Sequence, residues 1–124
     1  MTLDEAIMLA LAAGAAARMR PNNLAQERPE IEAYHDLLEL LSRSNSGVDW
    51  RMMESGPGSK ERRKLLMEQI SKSDAAGNPA VLRRSRLLLE EILRRTPQTT
   101  IAIFSDVPTV SQALLEIEKN LKVR

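Results

Sequence analysis

The pattern of hydrophobic and polar positions predicts several helices around one helix that is apolar on nearly all of its surface. That first helix is expected over residues 3–19, where twelve apolar residues follow one another without a charge, and Pro21 is expected to end it. Ala10 and Gly14 lie about one turn apart within it. Because both are small, we expect the backbone of a neighbouring helix to approach the first helix at Gly14.

The uncharged run could also belong to a membrane segment or a secretory signal. Twelve helical residues cover only about 18 Å, whereas a membrane span needs about 20 residues. A secretory signal begins with basic residues, but here Asp4 and Glu5 come first and Arg18 follows. This order of charges matches the dipole of a helix. The pattern therefore favours a helix that is buried in a protein core.

Apolar residues at helical spacing predict four further helices, and capping residues predict where the helices begin. Their apolar faces are, in chain order, Ile31, Tyr34, Leu37, Leu38 and Leu41; Leu65, Leu66 and Ile70; Val81, Leu82, Leu88, Leu89, Ile92 and Leu93; and Val110, Ala113, Leu114, Ile117 and Leu121. The expected caps are Thr2 with Glu5, Ser59, Asn78 before Pro79, and Thr109 with Gln112. The second helix is expected to begin near Pro29, and Gly47 is expected to end it in a left-handed conformation.

The segment before the last helix has a different pattern. Residues 99–104, "TTIAIF", are rich in β-branched side chains and predict a strand. A lone strand has no partner within the chain, so it is either an extended linker or a strand that pairs with another chain. We therefore expect an all-α bundle of four to five helices, with a short extended segment before the last helix. The expected division is a helical bundle domain over 1–97, able to fold alone, and an extension over 98–124 that is either mobile or docked on a partner.

Charge and residue composition narrow the function. The chain has 18 basic and 17 acidic residues, so it has no overall attraction for nucleic acid. It contains no cysteine, which suits a cytoplasmic location. His35 is the sole histidine, so a metal site is not expected. No catalytic motif appears, and we expect a protein that is not an enzyme and needs no cofactor.

Basic residues of the third and fourth helices could form a positive face. These residues are Arg62, Arg63, Arg83, Arg84 and Arg86. Such a face can bind nucleic acid, but acidic residues lie among these arginines. A solvated face is therefore the expected interpretation, and nucleic-acid binding is the alternative.

Two apolar segments are candidates for an interface, because a small bundle is not expected to bury them completely. Their residues are Trp50, Met52, Met53, Ile101, Ile103 and Phe104. Alternatively, Trp50 closes the open end of the bundle and belongs to the core. The interface interpretation predicts that the chain forms a homo-oligomer or binds a protein partner.

The order of these features resembles a family of small helical domains of bacterial conflict and cell-death systems. The similar stretches are "LALAAGAAAR", "EAYHDLLELLSR", "VDWRMMESGPGSKERRKLLMEQI" and "AAGNPAVLRRSRLLLEEI", and together the resemblance covers about residues 5–95. It implies a protein-interaction or oligomerisation module. It also implies, as an alternative, a membrane-disrupting effector whose first helix enters a membrane after a conformational change. The tail from residue 99 lacks the Gly-rich amyloid motif that often follows such domains.

Overall fold

The chain forms an all-α bundle, as the sequence predicts. The computed structural model describes residues 1–19, 28–45 and 47–123, and Pro21 lies outside them. Within this part of the chain there are six helices and two short 3₁₀ turns, at Met52–Ser55 and Ala75–Gly77. The helices are α1 (Leu3–Met19), α2 (Pro29–Ser44), α3 (Lys60–Lys72), α4 (Pro79–Arg95), α5 (Gln98–Ile101) and α6 (Val107–Val123).

Helix α1 is the centre of the bundle. It packs against α2, α3, α4 and α6 and against the turn Met52–Ser55. Every residue from Ala6 to Ala17 is buried, with no apolar side chain in this run more than 4% exposed. Around α1, α4 packs between α2 and α6, and α3 covers a different side. The prediction that the apolar first helix is core is therefore confirmed.

Helix caps largely agree with the sequence. The Thr2 Oγ1 atom accepts a hydrogen bond from the Glu5 N–H at 3.2 Å, and the Ser59 Oγ atom accepts one from the Arg62 N–H at 3.2 Å. Asn78 Oδ1 accepts from the N–H of Ala80 at 3.0 Å. Each bond satisfies a backbone donor that has no partner within its helix.

The predicted cap of the last helix was wrong. Helix α6 begins at Val107, and Asp106 rather than Thr109 caps it. The Asp106 Oδ1 atom accepts a hydrogen bond from the Thr109 N–H at 2.8 Å. Hydrogen bonds from the Thr109 side chain and backbone lower the pKa of Asp106. The predicted residue is thus the donor of the cap and not its acceptor.

The predicted strand over 99–104 was also wrong, because these residues form helical turns. The Ile101 N–H donates to the Pro97 carbonyl at 3.1 Å, and the Phe104 N–H donates to the Ile101 carbonyl at 3.0 Å. Ile101 and Phe104 lie three residues apart, and both are buried. A helical turn directs both side chains into the core, whereas an extended strand would direct them to opposite faces. Tertiary packing therefore overrides the β-propensity of this segment.

Two smaller predictions also need correction. Leu65 was expected on the buried face of α3, but it is 53% exposed, whereas Leu66 and Ile70 are buried. Gly47 has no left-handed backbone conformation. Helix α2 instead ends with the Asn45 N–H donating to the Leu41 carbonyl at 2.8 Å.

Helix α6 contributes to the same hydrophobic core as the rest of the chain. Val110, Ala113 and Ile117 are fully buried, and α6 packs against both α1 and α4. These contacts favour one folding unit over a bundle of residues 1–97 with a separate extension. The division at residue 97 stays a prediction that truncation can test.

Candidate docking groove

The six residues predicted to form an exposed apolar interface are mostly in the core. Trp50, Met53, Ile101 and Phe104 are buried, and Met52 is half-buried. Only Ile103, at 50% exposure, offers much surface among the six. The expectation of an exposed apolar patch at these residues was therefore wrong. The reason is that the turn Met52–Ser55 and the helical turn of α5 both pack against α1.

Trp50 matches the alternative interpretation, in which it closes an end of the bundle. Its side chain is only 2% exposed. Its indole Nε1 atom donates a hydrogen bond to the Asn45 carbonyl at 2.9 Å, just after the end of α2. This bond satisfies the one polar atom of the side chain while the ring stays in the core.

The arginines of α3 are partly engaged within the molecule. The Arg62 guanidinium donates to the Met52 carbonyl at 3.2 Å, and the Arg63 guanidinium donates to the Phe104 carbonyl. Arg63 Nε is buried and has no partner in the part of the chain that the structure describes. Burial lowers the pKa of Arg63.

The arginines of α4 lie apart from those of α3. Among the described residues α3 and α4 make no substantial contact, because each packs against α1 instead. Arg84 lies 3.9 Å from Asp36, and Arg86 lies 3.8 Å from Glu90. Arg83 is exposed. The five arginines are therefore divided between two helices, and several already contact acidic groups or backbone carbonyls.

An open groove of about 630 Å³ lies between the N-terminal half of α1 and α3. The residues along it are Thr2, Asp4, Glu5 and Met8 from the start of the chain, and Lys60, Arg63, Lys64, Met67, Glu68 and Ser71 from α3. Met8 is almost completely buried and Met67 is half-buried. The two thioether side chains give the groove a floor of flexible apolar groups, which adapt well to different surfaces.

The α1 wall of the groove is acidic, and the α3 wall is mainly basic but also carries Glu68. Asp4 and Glu5 belong to the first turn of α1, and Lys60 and Lys64 belong to the N-terminal half of α3. Within the described residues none of these four side chains has an ion-pair or hydrogen-bond partner. By contrast, Arg28 pairs with Glu30 at 2.9 Å elsewhere in the bundle. The groove thus places unpaired acidic and basic groups on either side of an apolar floor.

A second, smaller groove lies between α2 and α4. Its volume is about 190 Å³, and its residues are Pro29, Glu32, Ala33, Asp36, Arg84, Leu87 and Glu91. Leu87 is 51% exposed. The contact between Arg84 and Asp36 lies within this groove, so part of its charge is already compensated.

The sequence did not reveal the α1–α3 groove, because its walls are 55 residues apart along the chain (from Glu5 to Lys60). The one available signal was the i, i+4 spacing of Lys60 and Lys64 in α3, which places both on one side of a helix.

His35 is exposed, and the described residues hold no cluster of three potential metal ligands. No helix in the described part of the chain is long and apolar enough to cross a membrane.

Comparison with known proteins gives no relative. No family model, no curated protein and no solved structure matches the chain.

Proposed function

We propose that the chain is a non-enzymatic protein-interaction module that binds a helical segment in the α1–α3 groove. The observation that carries this proposal is the pair of oppositely charged, unpaired walls above the floor of Met8 and Met67. An amphipathic helix docks by laying its apolar side chains into such a groove. Flanking charges on that helix would pair with the acidic wall on one side and the basic wall on the other.

The charged walls contribute more to the selection of a partner than to the strength of its binding. Ion pairs near a protein surface add little net affinity, but they fix the orientation of a partner and reject wrongly charged ones. Met67 and the small exposed part of Met8 supply apolar surface for association. A helix with the wrong order of charges would meet like charges on both walls.

The two alternatives from the sequence have less support. Nucleic-acid binding would need the basic residues of α3 and α4 to act together, yet α1 lies between these helices in the described structure. Membrane disruption by α1 would require the helix to leave an environment in which residues 6–17 are enclosed. Nucleic-acid binding would therefore have to use a divided surface, and membrane disruption would need a large rearrangement of the bundle.

We propose that the protein acts in a bacterial defence or cell-death system, and this part of the proposal rests on the sequence resemblance alone. A cytoplasmic location is proposed because the chain contains no cysteine and so needs no oxidising compartment.

The groove can be tested without knowledge of the natural partner. A displayed library of random peptides is selected on the wild-type protein and then on a variant with Lys60→Glu and Lys64→Glu. Both lysines are exposed, so the variant should fold like the wild type, which circular dichroism checks. We expect helical peptides that bind the wild type and lose roughly tenfold or more in affinity for the variant.

The exposed Leu87 supplies a matched control in the second groove. The selected peptides should bind Leu87→Asp as well as they bind the wild type. Peptides that bind the lysine variant and the wild type equally would contradict the proposal.

A further inference from the structure

Next to the groove, α6 carries a ridge formed by the exposed side chain of Leu115 and the charged side chains of Glu118 and Lys119 on either side of it. Leu115 is 63% exposed, more than any other large apolar side chain in the described residues. It lies beside Met1, Gln112, Glu116 and Lys119. Met1 is followed by Thr2, which lines the α1–α3 groove. The ridge and the groove are therefore adjacent parts of one face of the molecule.

The charged residues around Leu115 include one acidic and one basic group on opposite sides of it. In a helix, residue i+3 lies about 60° to one side of residue i, and residue i+4 lies about 40° to the other side. Glu118 and Lys119 therefore flank Leu115 on opposite sides. Neither side chain has an ion-pair or hydrogen-bond partner in the described structure. An acidic and a basic group thus stand on the two sides of an exposed leucine.

The spacing of charges on α6 also matches that on α3. Lys64 and Glu68 lie four residues apart on the wall of the groove, and Glu118 and Lys122 lie four residues apart on α6. If the two helices run in the same direction and Glu118 is placed opposite Lys64, the equal spacing places Lys122 opposite Glu68. With Leu115 on the floor of the groove, this arrangement places Lys119 on the side of α6 that faces the acidic wall.

We infer that the occupant of the α1–α3 groove is the α6 ridge of a second copy of this chain. Leu115 of each copy lies on the methionine floor of the other, so the pairing is a two-fold symmetric dimer in which the same two surfaces meet twice. A closed dimer of this kind uses both grooves and both ridges, and it leaves no free site for growth into a filament. This inference rests on the proposed function, because it names the occupant of the same groove.

The mass of the chain in solution tests the pairing. Sedimentation equilibrium of the wild type should give twice the monomer mass of 13.9 kDa. Leu115→Asp should give the monomer mass, while Leu87→Asp, an equally drastic change at a similarly exposed leucine of α4, should leave the dimer intact. A wild type that is monomeric at all accessible concentrations, or a dimer that Leu115→Asp leaves unchanged, would overturn the inference.

A charge exchange tests the predicted contact directly. Lys64→Glu alone and Glu118→Lys alone should each raise the dimer dissociation constant by about tenfold. The double variant should regain much of the wild-type affinity, since the acidic and the basic group of this contact have then only changed places. Failure of the double variant to regain affinity would overturn the pairing of α3 with α6.

The two proposals can fail separately. If the chain is monomeric but selected peptides still bind in the groove, the second-copy inference is wrong and the docking function stands. If the chain is a dimer that neither Lys64→Glu nor Leu115→Asp weakens, the association uses another surface, and the inference is again wrong. If peptides also bind the lysine variant and the wild type equally, the docking function is wrong as well.

Discussion

Gly14 of α1 lies directly against the side chain of Tyr34 in α2. A β-carbon placed on Gly14 would lie 2.5 Å from Tyr34 Cγ and 2.9 Å from Tyr34 Cβ. Real β-carbons do not approach other atoms so closely, so only glycine fits without movement of one helix. The sequence predicted a close approach of a neighbouring helix at this residue. The contact is made by the tyrosine side chain and not, as expected, by the backbone.

Gly14→Ala should therefore destabilise the protein by about 1–3 kcal/mol, because the added methyl group overpacks the core. Chemical denaturation measures the change. Gly47→Ala is the control, since a β-carbon there has no atom within 4 Å and the substitution should change the free energy of unfolding little. In a Tyr34→Ala background, Gly14→Ala should cost less than in the wild type. Equal costs in the two backgrounds would mean that the two residues do not interact.

Tyr34 should also make stability depend on pH in alkaline solution. Burial raises the pKa of Tyr34 from 10.0 to about 12. The unfolded chain loses this proton first, so the free energy of unfolding falls as the pH rises from about 10 towards 12. The contribution is fully present below pH 10. Tyr34→Phe should remove this part of the pH dependence.

Ultraviolet absorbance of tyrosinate can follow the ionisation without overlap, because Tyr34 is the sole tyrosine. The ionisation midpoint of the folded protein should lie well above that of the protein in denaturant. Coinciding midpoints, while circular dichroism still shows a folded chain, would contradict the burial of the hydroxyl.

Within the described residues the Tyr34 hydroxyl has no hydrogen-bond partner. At neutral pH Tyr34→Phe should therefore be neutral or slightly stabilising.

A chain that ends at residue 97 should lose cooperative unfolding. Removal of α6 would expose the α1 and α4 surfaces that Val110, Ala113 and Ile117 cover. A chain that ends at Lys122 is the control, because it keeps all three buried residues and should melt like the full chain. Cooperative melting of residues 1–97 at the temperature of the full chain would instead support the two-part division predicted from the sequence.

The sequence predicted those features that depend on local pattern. The bounds of α1, the caps at Ser59 and Asn78, and the apolar stripe of α2 follow from residue spacing and from side chains that bond to nearby backbone. Residues 99–104 were misread because their β-propensity is local, whereas burial of Ile101 and Phe104 against the bundle is not.

The candidate site could not be predicted, for a similar physical reason. The groove exists because α3 packs on the N-terminal half of α1, and no local pattern specifies which helices become neighbours. For the same reason the apolar residues around Trp50 were expected at the surface. Their burial depends on the turn Met52–Ser55 folding back onto α1. A pattern of apolar residues indicates that their side chains are buried, but it does not indicate whether they are buried against the same chain or against a partner.

The claim that the α1–α3 groove receives α6 of a second copy is tested most directly by the methyl signals of the two groove methionines. In a nuclear magnetic resonance dilution series, the signals of Met8 and Met67, assigned by Met→Leu substitution, should shift as dimers separate into monomers. The signal of Met53, which is fully buried in the core, should stay in place. A dimer that dissociates on dilution while the Met8 and Met67 signals remain unchanged would contradict the account.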